Sequence, residues 1–278
     1  MANPSGDPVA TITEADATGE VAALYADIRA TLGVPVVNLI WRHLAVLPGA
    51  LPWAWQSLKP LYASGTVTAQ AAALRSGLAV PVLAGLSRPA LSAAGLGQDD
   101  LARISMILRS YERSNAMNII ALGALLAGLE GRPPLHGEPM PPIHEEAAVE
   151  GEMPALLTLD VLAPPVRALV EDLNRIGGRE EILASMYRHL ANWPAYLALV
   201  HALIAPFGAE GRLEPLILDV IAEGRRRAAR ITGGLATPGK TPDEQIQADM
   251  RAALALFIDG PIGKMIAIVP LIRQAMPD

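Results

Sequence analysis

Tyr187-Arg188-His189-Leu190-Ala191-Asn192-Trp193-Pro194 repeats Trp41-Arg42-His43-Leu44-Ala45-Val46-Leu47-Pro48 at a distance of 146 residues. The same offset carries Gly65 onto Gly211, Tyr111 onto Phe257, Ile120 onto Ile266, Ala121 onto Ala267 and Leu125 onto Leu271. Upstream, one inserted residue brings Ala23-Leu24 and Asp27-Ile28 onto Ala168-Leu169 and Asp172-Leu173. Self-similarity held over more than half of each half-chain marks a duplicated unit. The repeated unit is helical. Val21, Leu24, Tyr25, Ile28 and Leu32, and then Leu101, Ile104, Ile107, Leu108 and Tyr111, recur at spacings of three and four, the period of one helix face. Alternating strand patterns and Asn-Gly hairpin signals are missing. The expectation is an all-α fold of about ten helices. Residues 14–130 and 166–278 form two tandem helical repeats, packed as a pseudo-twofold single-chain dimer with any cleft at the junction. Residues 131–165 hold Pro133, Pro134, Pro139, Pro141, Pro142 and Pro154 beside Glu145, Glu146, Glu150 and Glu152. They read as an extended linker wrapping the outside.

Composition narrows the chemistry. The 278 residues are 51% hydrophobic, 18% charged and 4% aromatic, and cysteine is absent. That excludes disulfides, thiol catalysis, zinc ribbons and iron–sulfur clusters, and fits a cytoplasmic protein. A net charge of −6 does not supply the basic footprint of a nucleic-acid binder. The longest uncharged apolar runs fall short of the roughly 20 residues that a membrane span needs. The N-terminus lacks the basic and apolar regions of a secretory signal.

Local motifs are mostly quiet. Gly234-Leu235-Ala236-Thr237-Pro238-Gly239-Lys240-Thr241 matches the phosphate-loop pattern, but a polar, helix-like segment precedes it where the motif needs a strand. It reads as an interhelical loop, with Thr241 as the cap of the next helix and Pro242 in its first turn. Arg225, Arg226, Arg227 and Arg230 read as a solvated helix face. His43 and His189 are repeat equivalents and suggest a shared packing role beside Arg42 and Arg188, and His136 and His144 carry little signal. No metal-binding pattern, serine elbow or dinucleotide fingerprint is present.

The places where the copies differ carry more. Asn192 stands where the first copy has Val46, Trp193 where it has Leu47, and Asn118 faces Lys264. A scaffold position that turns polar in one copy points either to function or to an amide satisfying a nearby backbone group.

Val34 to Ala45, Glu14 to Gly19 and Asn118 to Leu122 resemble the first-repeat signature of the group I 2-haloacid dehalogenases, and Tyr187 to Pro194 resembles their second-repeat signature. The similarity runs from about Glu14 to the C-terminus. It implies a tandem-repeat pseudo-dimer related to the alkylhydroperoxidase D-like fold and hydrolysis of the carbon–halogen bond of short 2-haloacids. The implied reaction uses no cofactor and no metal. In such enzymes an aspartate of the second repeat activates a water that attacks Cα directly, and an asparagine of the first repeat places that water. Here the resemblance puts Asn192 at the aspartate position and Asn118 at the asparagine position, with Asn115 as the fallback. It puts Val36, Leu39, Trp41, Tyr187 and Ala191 around the substrate.

Asn192 cannot accept the proton that attacking water must lose. The nearest alternative acids in sequence are Asp172 and Glu171, although the repeat sets Asp172 against Asp27 and favours a structural role for that pair. Three readings stand: a 2-haloacid dehalogenase; an impaired or divergent binder of a small 2-substituted carboxylic acid; or a purely structural assembly. The expected partners are that small acid and, in a homodimer, a second copy. Neither nucleic acid nor a membrane is expected.

Overall fold

The computed structural model describes residues 7–136, 139–143 and 146–277, so His144 and Glu145 lie outside the described residues. Among the described residues every regular element is helical, as expected. There are twelve α-helices rather than about ten. The additions are six-residue pieces, such as Leu39–Leu44 (α2), Arg88–Ala93 (α5) and Ser185–Leu190 (α8), too short to show a hydrophobic period.

The first half runs through α1 (Gly19–Leu32), α2, α3 (Ala50–Ala63), α4 (Thr66–Ser76), α5 and α6 (Gln98–Leu129). The second runs through α7 (Pro164–Arg175), α8, α9 (Pro194–Ala209), α10 (Leu213–Ile231), α11 (Glu244–Phe257) and α12 (Gly263–Gln274). Helices α2 and α8 have equal length and start 146 residues apart, as do the starts of α6 and α11. Where α6 runs unbroken for 32 residues, its counterpart is interrupted by a π-helical turn at Ile258–Ile262. The cause is local. Pro261 occupies the position of Asn115, and a proline inside a helix removes a backbone donor and crowds the preceding turn.

Helix α6 is the axis of the core and packs against α10, α12 and α4. From Ser114 to Leu126 each of its residues is buried. Glycines set its approach to α10. A Cβ built on Gly123 would stand 2.8 Å from the Ala228 Cβ, and one on Gly224 would stand 2.6 Å from Ile119 Cδ1. The run Glu244–Gln274 is long and apolar enough to cross a membrane by composition, yet 78% of its most apolar window is buried inside the fold. It behaves as a core element.

Among its described residues the connection from Arg132 to Ala163 contains no helix, and it touches both halves. Val149 N–H donates to Gly33 O at 2.9 Å, and Leu157 O accepts from Arg188 Nε at 2.6 Å. Helix α7 starts at Pro164, two residues before the expected start of the second repeat, because proline is at home in a first turn. The 234–241 segment lies between helices, after a 3₁₀ turn at Thr232–Gly234. The cap of α11 is Asp243, not Thr241: its carboxylate accepts from Ile246 N–H at 2.9 Å. The arginine run is not simply solvated. Arg225 makes a bidentate pair with Asp259, Arg226 pairs with Glu223, and Arg227 donates to Gln70.

Candidate active site

Each signature helix is held by a helix of the other half, α8 by α6 and α2 by α11, through residues that the repeat makes equivalent. Tyr111 of α6 bonds His189 of α8, oxygen to Nδ1 at 2.9 Å. Its counterpart Phe257 stacks on His43 of α2, with ring centroids 5.9 Å apart. The shared packing role of the two histidines is therefore visible, and only the tyrosine side carries a hydroxyl. Arg42 and Arg188 converge on one carboxylate, Asp7, at 2.7 and 2.6 Å. Asp27 accepts from Trp55 Nε1 and Lys59, and Asp172 meets His201, the counterpart of Trp55. Glu171 pairs with Arg167. Asp27 and Asp172 thus make comparable side-chain contacts, in line with the structural role that the repeat suggested for that pair. Among the described residues, His, Asp and Glu form no cluster suited to a metal ion.

A small, partly open cavity of about 30 Å³ lies at the junction, lined by Asn38, Leu39 and Ile40 from the start of α2 and by Leu183 to Met186 at the start of α8. Tyr111 and Asn115 of α6 and Phe257, Pro261, Ile262 and Met265 close it. Its volume corresponds to about one or two water molecules. Three polar groups on its wall are buried and unpartnered: Asn38 Oδ1, Asn115 Nδ2 and Ser185 Oγ. Asn38 Nδ2 is fixed by a 3.0 Å bond to Ser114 Oγ, so the orientation of that amide is set. Buried polar atoms normally find partners. An acceptor, a donor and a hydroxyl facing one space form a cradle for a water or a polar ligand. No carboxylate, histidine, lysine or arginine lines this cavity.

Tyr111 also lines a second, larger space, a groove of about 960 Å³ bordered by Glu14, Val34 to Val37, Arg42, the Ala148–Leu156 stretch, Arg188 and His189. The phenol of Tyr111 is held well above its ordinary range by burial and stays protonated. Burial, reinforced by Arg42 and Arg188, lowers the His189 pKa to about 3, so its ring is neutral at ordinary pH.

The sequence-derived site residues divide. Leu39 lines the junction cavity and Val36 lines the groove. Trp41, Tyr187 and Ala191 are buried but line neither space. Trp41 Nε1 donates to Asn118 Oδ1 at 3.1 Å, and the Tyr187 hydroxyl is without a partner. Asn118 is fully buried. Of the two asparagines on α6 it is Asn115, the fallback, that reaches the cavity. Asn192 borders neither space. Its amide donates to His189 O at 2.9 Å and Ala155 O at 3.0 Å, the backbone-satisfying alternative that its position allowed. The reason is positional: Asn192 follows the C-terminus of α8, whereas the cavity lies at its N-terminus, roughly 9 Å away along a six-residue helix.

Asn38 and Ser185 were missed, though a signal existed. The offset that exposed Asn192 also sets Asn38 against Ala184, Leu39 against Ser185 and Asn115 against Pro261. All three pairs are polar–apolar breaks, and all three border the cavity.

No protein-family model matches the chain. Its sequence is similar to curated proteins of one kind. It is 27% identical over 252 residues, covering 84% of this chain and 80% of the relative, to a configuration-inverting 2-haloacid dehalogenase of Alcaligenes xylosoxydans xylosoxydans. It is 27% identical over 195 residues to one of Pseudomonas sp. (strain 113), covering 66% of this chain and 62% of that one. It is 30% identical over 112 residues to an (R)-2-haloacid dehalogenase of Pseudomonas putida, covering 38% of this chain and 37% of that one. Among solved structures, a D-2-haloacid dehalogenase mutant superposes with a TM-score of 0.76 at 17% identity over 96% of both chains. Another mutant, in complex with D-2-CPA, gives 0.75 at 17% identity over 96% of this chain and 95% of that one. At such identity the likeness speaks to the fold, and it agrees with the all-helical architecture.

Proposed function

We propose that this chain, a relative of the configuration-inverting 2-haloacid dehalogenases along most of its length, binds a short 2-substituted carboxylic acid at the junction of the halves, with the small cavity there holding a water or one polar end of the ligand, and hydrolyses 2-haloacids poorly. The observation that carries this is the wall of that cavity, which offers Asn38, Asn115 and Ser185 as unpartnered polar groups but no carboxylate. Hydrolysis with inversion forms a C–O bond from water to Cα, breaks the carbon–halogen bond, and releases halide and one proton. The amide of Asn115 and the hydroxyl of Ser185 are suited to orient water or a ligand oxygen; neither is a base. A proton path from the wall runs through Tyr111 to His189, where burial and two arginines oppose an imidazolium. General-base help is typically worth 10²–10⁴-fold, and that part of the rate is missing.

The same reading includes residues 14–130 and 166–278 as tandem units about a pseudo-twofold axis, joined by 131–165. The matching starts of α2 and α8, and the exchanged pairs Tyr111–His189 and His43–Phe257, support it.

Halide release from 2-chloropropionate tests the assignment. The unaltered chain is expected to be slow. Ser185→Asp places a carboxylate on the cavity wall and is expected to raise release by 10-fold or more, toward the 10²–10⁴ range of a positioned base. Asn192→Asp is expected to give no gain, since it alters a residue committed to backbone carbonyls. Fast turnover by the unaltered chain, or a gain with Asn192→Asp and none with Ser185→Asp, refutes the placement.

A further inference from the structure

The floor of the large groove carries an imbalance of charge. Arg42 and Arg188 both border it, with side chains only 6% and 1% exposed. A guanidinium stays charged at any working pH. Among the described residues the single carboxylate paired with either of them is Asp7, which both share. Positive charge is therefore in excess at a place largely removed from water, where an unbalanced charge costs several kcal/mol. Glu150 and Glu152 also border the groove, but both are exposed to water, which screens them; the groups buried beside the two arginines do not cancel the excess. His189 and Tyr111 are neutral, and the Glu14 carboxylate is engaged by Arg29 and by Val37 N–H.

A second observation is independent of the first. Arg188 Nε donates to Leu157 O, whereas Arg42 Nε is buried with no acceptor. Beside this fork the groove offers apolar surface from Val34, Val36, Met153 and Leu156. Planar guanidinium forks suit carboxylates, and apolar walls suit a hydrocarbon chain.

We propose that the groove floor binds an organic monocarboxylate with an apolar chain, its carboxylate set against Arg42 and Arg188 and its chain along Val36, Met153 and Leu156. This site is separate from the junction cavity, since Tyr111 stands between the two, and it does not depend on the haloacid reading.

Calorimetric titration of the full chain with hexanoate, hexanamide and inorganic phosphate tests it. Hexanoate is expected to bind at least 10-fold more tightly than its neutral amide and more tightly than phosphate. Met153→Glu, which adds a negative charge on the groove wall, is expected to weaken hexanoate at least 10-fold. Arg42→Gln should do the same where it folds, and Met153→Glu decides the matter where it does not. Ser185→Ala, which alters only the junction cavity, should leave hexanoate affinity unchanged. Absence of hexanoate binding, equal affinity for the amide or for phosphate, an undiminished affinity in Met153→Glu, or a loss in Ser185→Ala would each overturn the proposal.

Discussion

Single residues in this protein act through what surrounds them, and His189 is the plainest case. Its pKa falls from the ordinary 6.5 to about 3, first through burial and then through Arg42 and Arg188. The unfolded chain takes up a proton at this residue below about pH 6.5, while the folded chain refuses it until about pH 3. Its contribution to stability is therefore lost as pH falls through that window, by up to about 1.4 kcal/mol per pH unit. Urea unfolding of His189→Gln between pH 3 and 7 is expected to show a shallower acid loss than the unaltered chain; an unchanged slope would contradict the assignment. Lys264 illustrates the same physics in the other copy. It stands opposite Asn118, is buried, and donates to Asn174 O and Gly178 O. Burial lowers its pKa to about 8. Because the folded state sheds this proton more readily than the unfolded state, the penalty for its charge disappears as pH rises from about 8 to 10.5.

At the scale of elements, the contact between α6 and α10 depends on small residues. Gly123 and Gly224 let the two helices approach until Cβ atoms at either position would clash, at 2.8 and 2.6 Å. Replacing Gly123 by alanine raises helix propensity but overpacks the seam, so Gly123→Ala is expected to destabilise by roughly 1–3 kcal/mol in chemical denaturation. A neutral or stabilising result would mean that the seam can spread. The interruption at Pro261 has a different consequence. By bending the α11–α12 run at Ile258–Ile262, it leaves the junction cavity between itself and the straight α6, with Pro261 on one wall and Asn115 on another. The exchange of Asn115 for Pro261 between corresponding helices thus contributes to an asymmetric site within a duplicated scaffold.

For the molecule as a whole, the N-terminal segment joins the halves. Ile12 N–H donates to Arg42 O, Tyr25 donates its hydroxyl proton to Ile12 O, and His43 Nδ1 meets Ala10 O. All of these lie within the first half. Asp7 reaches across, with one oxygen on Arg42 and the other on Arg188. Removing the carboxylate leaves two buried cations without a counter-ion. Asp7→Asn is therefore expected to cost about 3–5 kcal/mol, the range for breaking a buried pair from one side. A shift in the urea midpoint amounting to less than 1 kcal/mol would show that the crossing contact is dispensable.

The sequence by itself determined the helical class, the 146-residue correspondence, the helix that became α1, the loop character of 234–241 and the idea that broken symmetry marks the site. Each is local or self-referential. Helical period is written every three to four residues, and a duplication can be read by comparing the chain with itself. Only the tertiary structure decided which breaks face the cavity. Asn115 and Asn118 lie three residues apart on nearly the same face of α6, and the packing of Trp41 takes the oxygen of one while the other reaches open space. Ser185 and Asn192 belong to one short segment, and the end of α8 that points inward depends on how the halves pack. Asp7 meeting Arg188 across 181 residues has no local trace at all. Such convergence comes from the angles and separations of packed helices, which depend on the fit of side chains from distant parts of the chain rather than on any pattern along it.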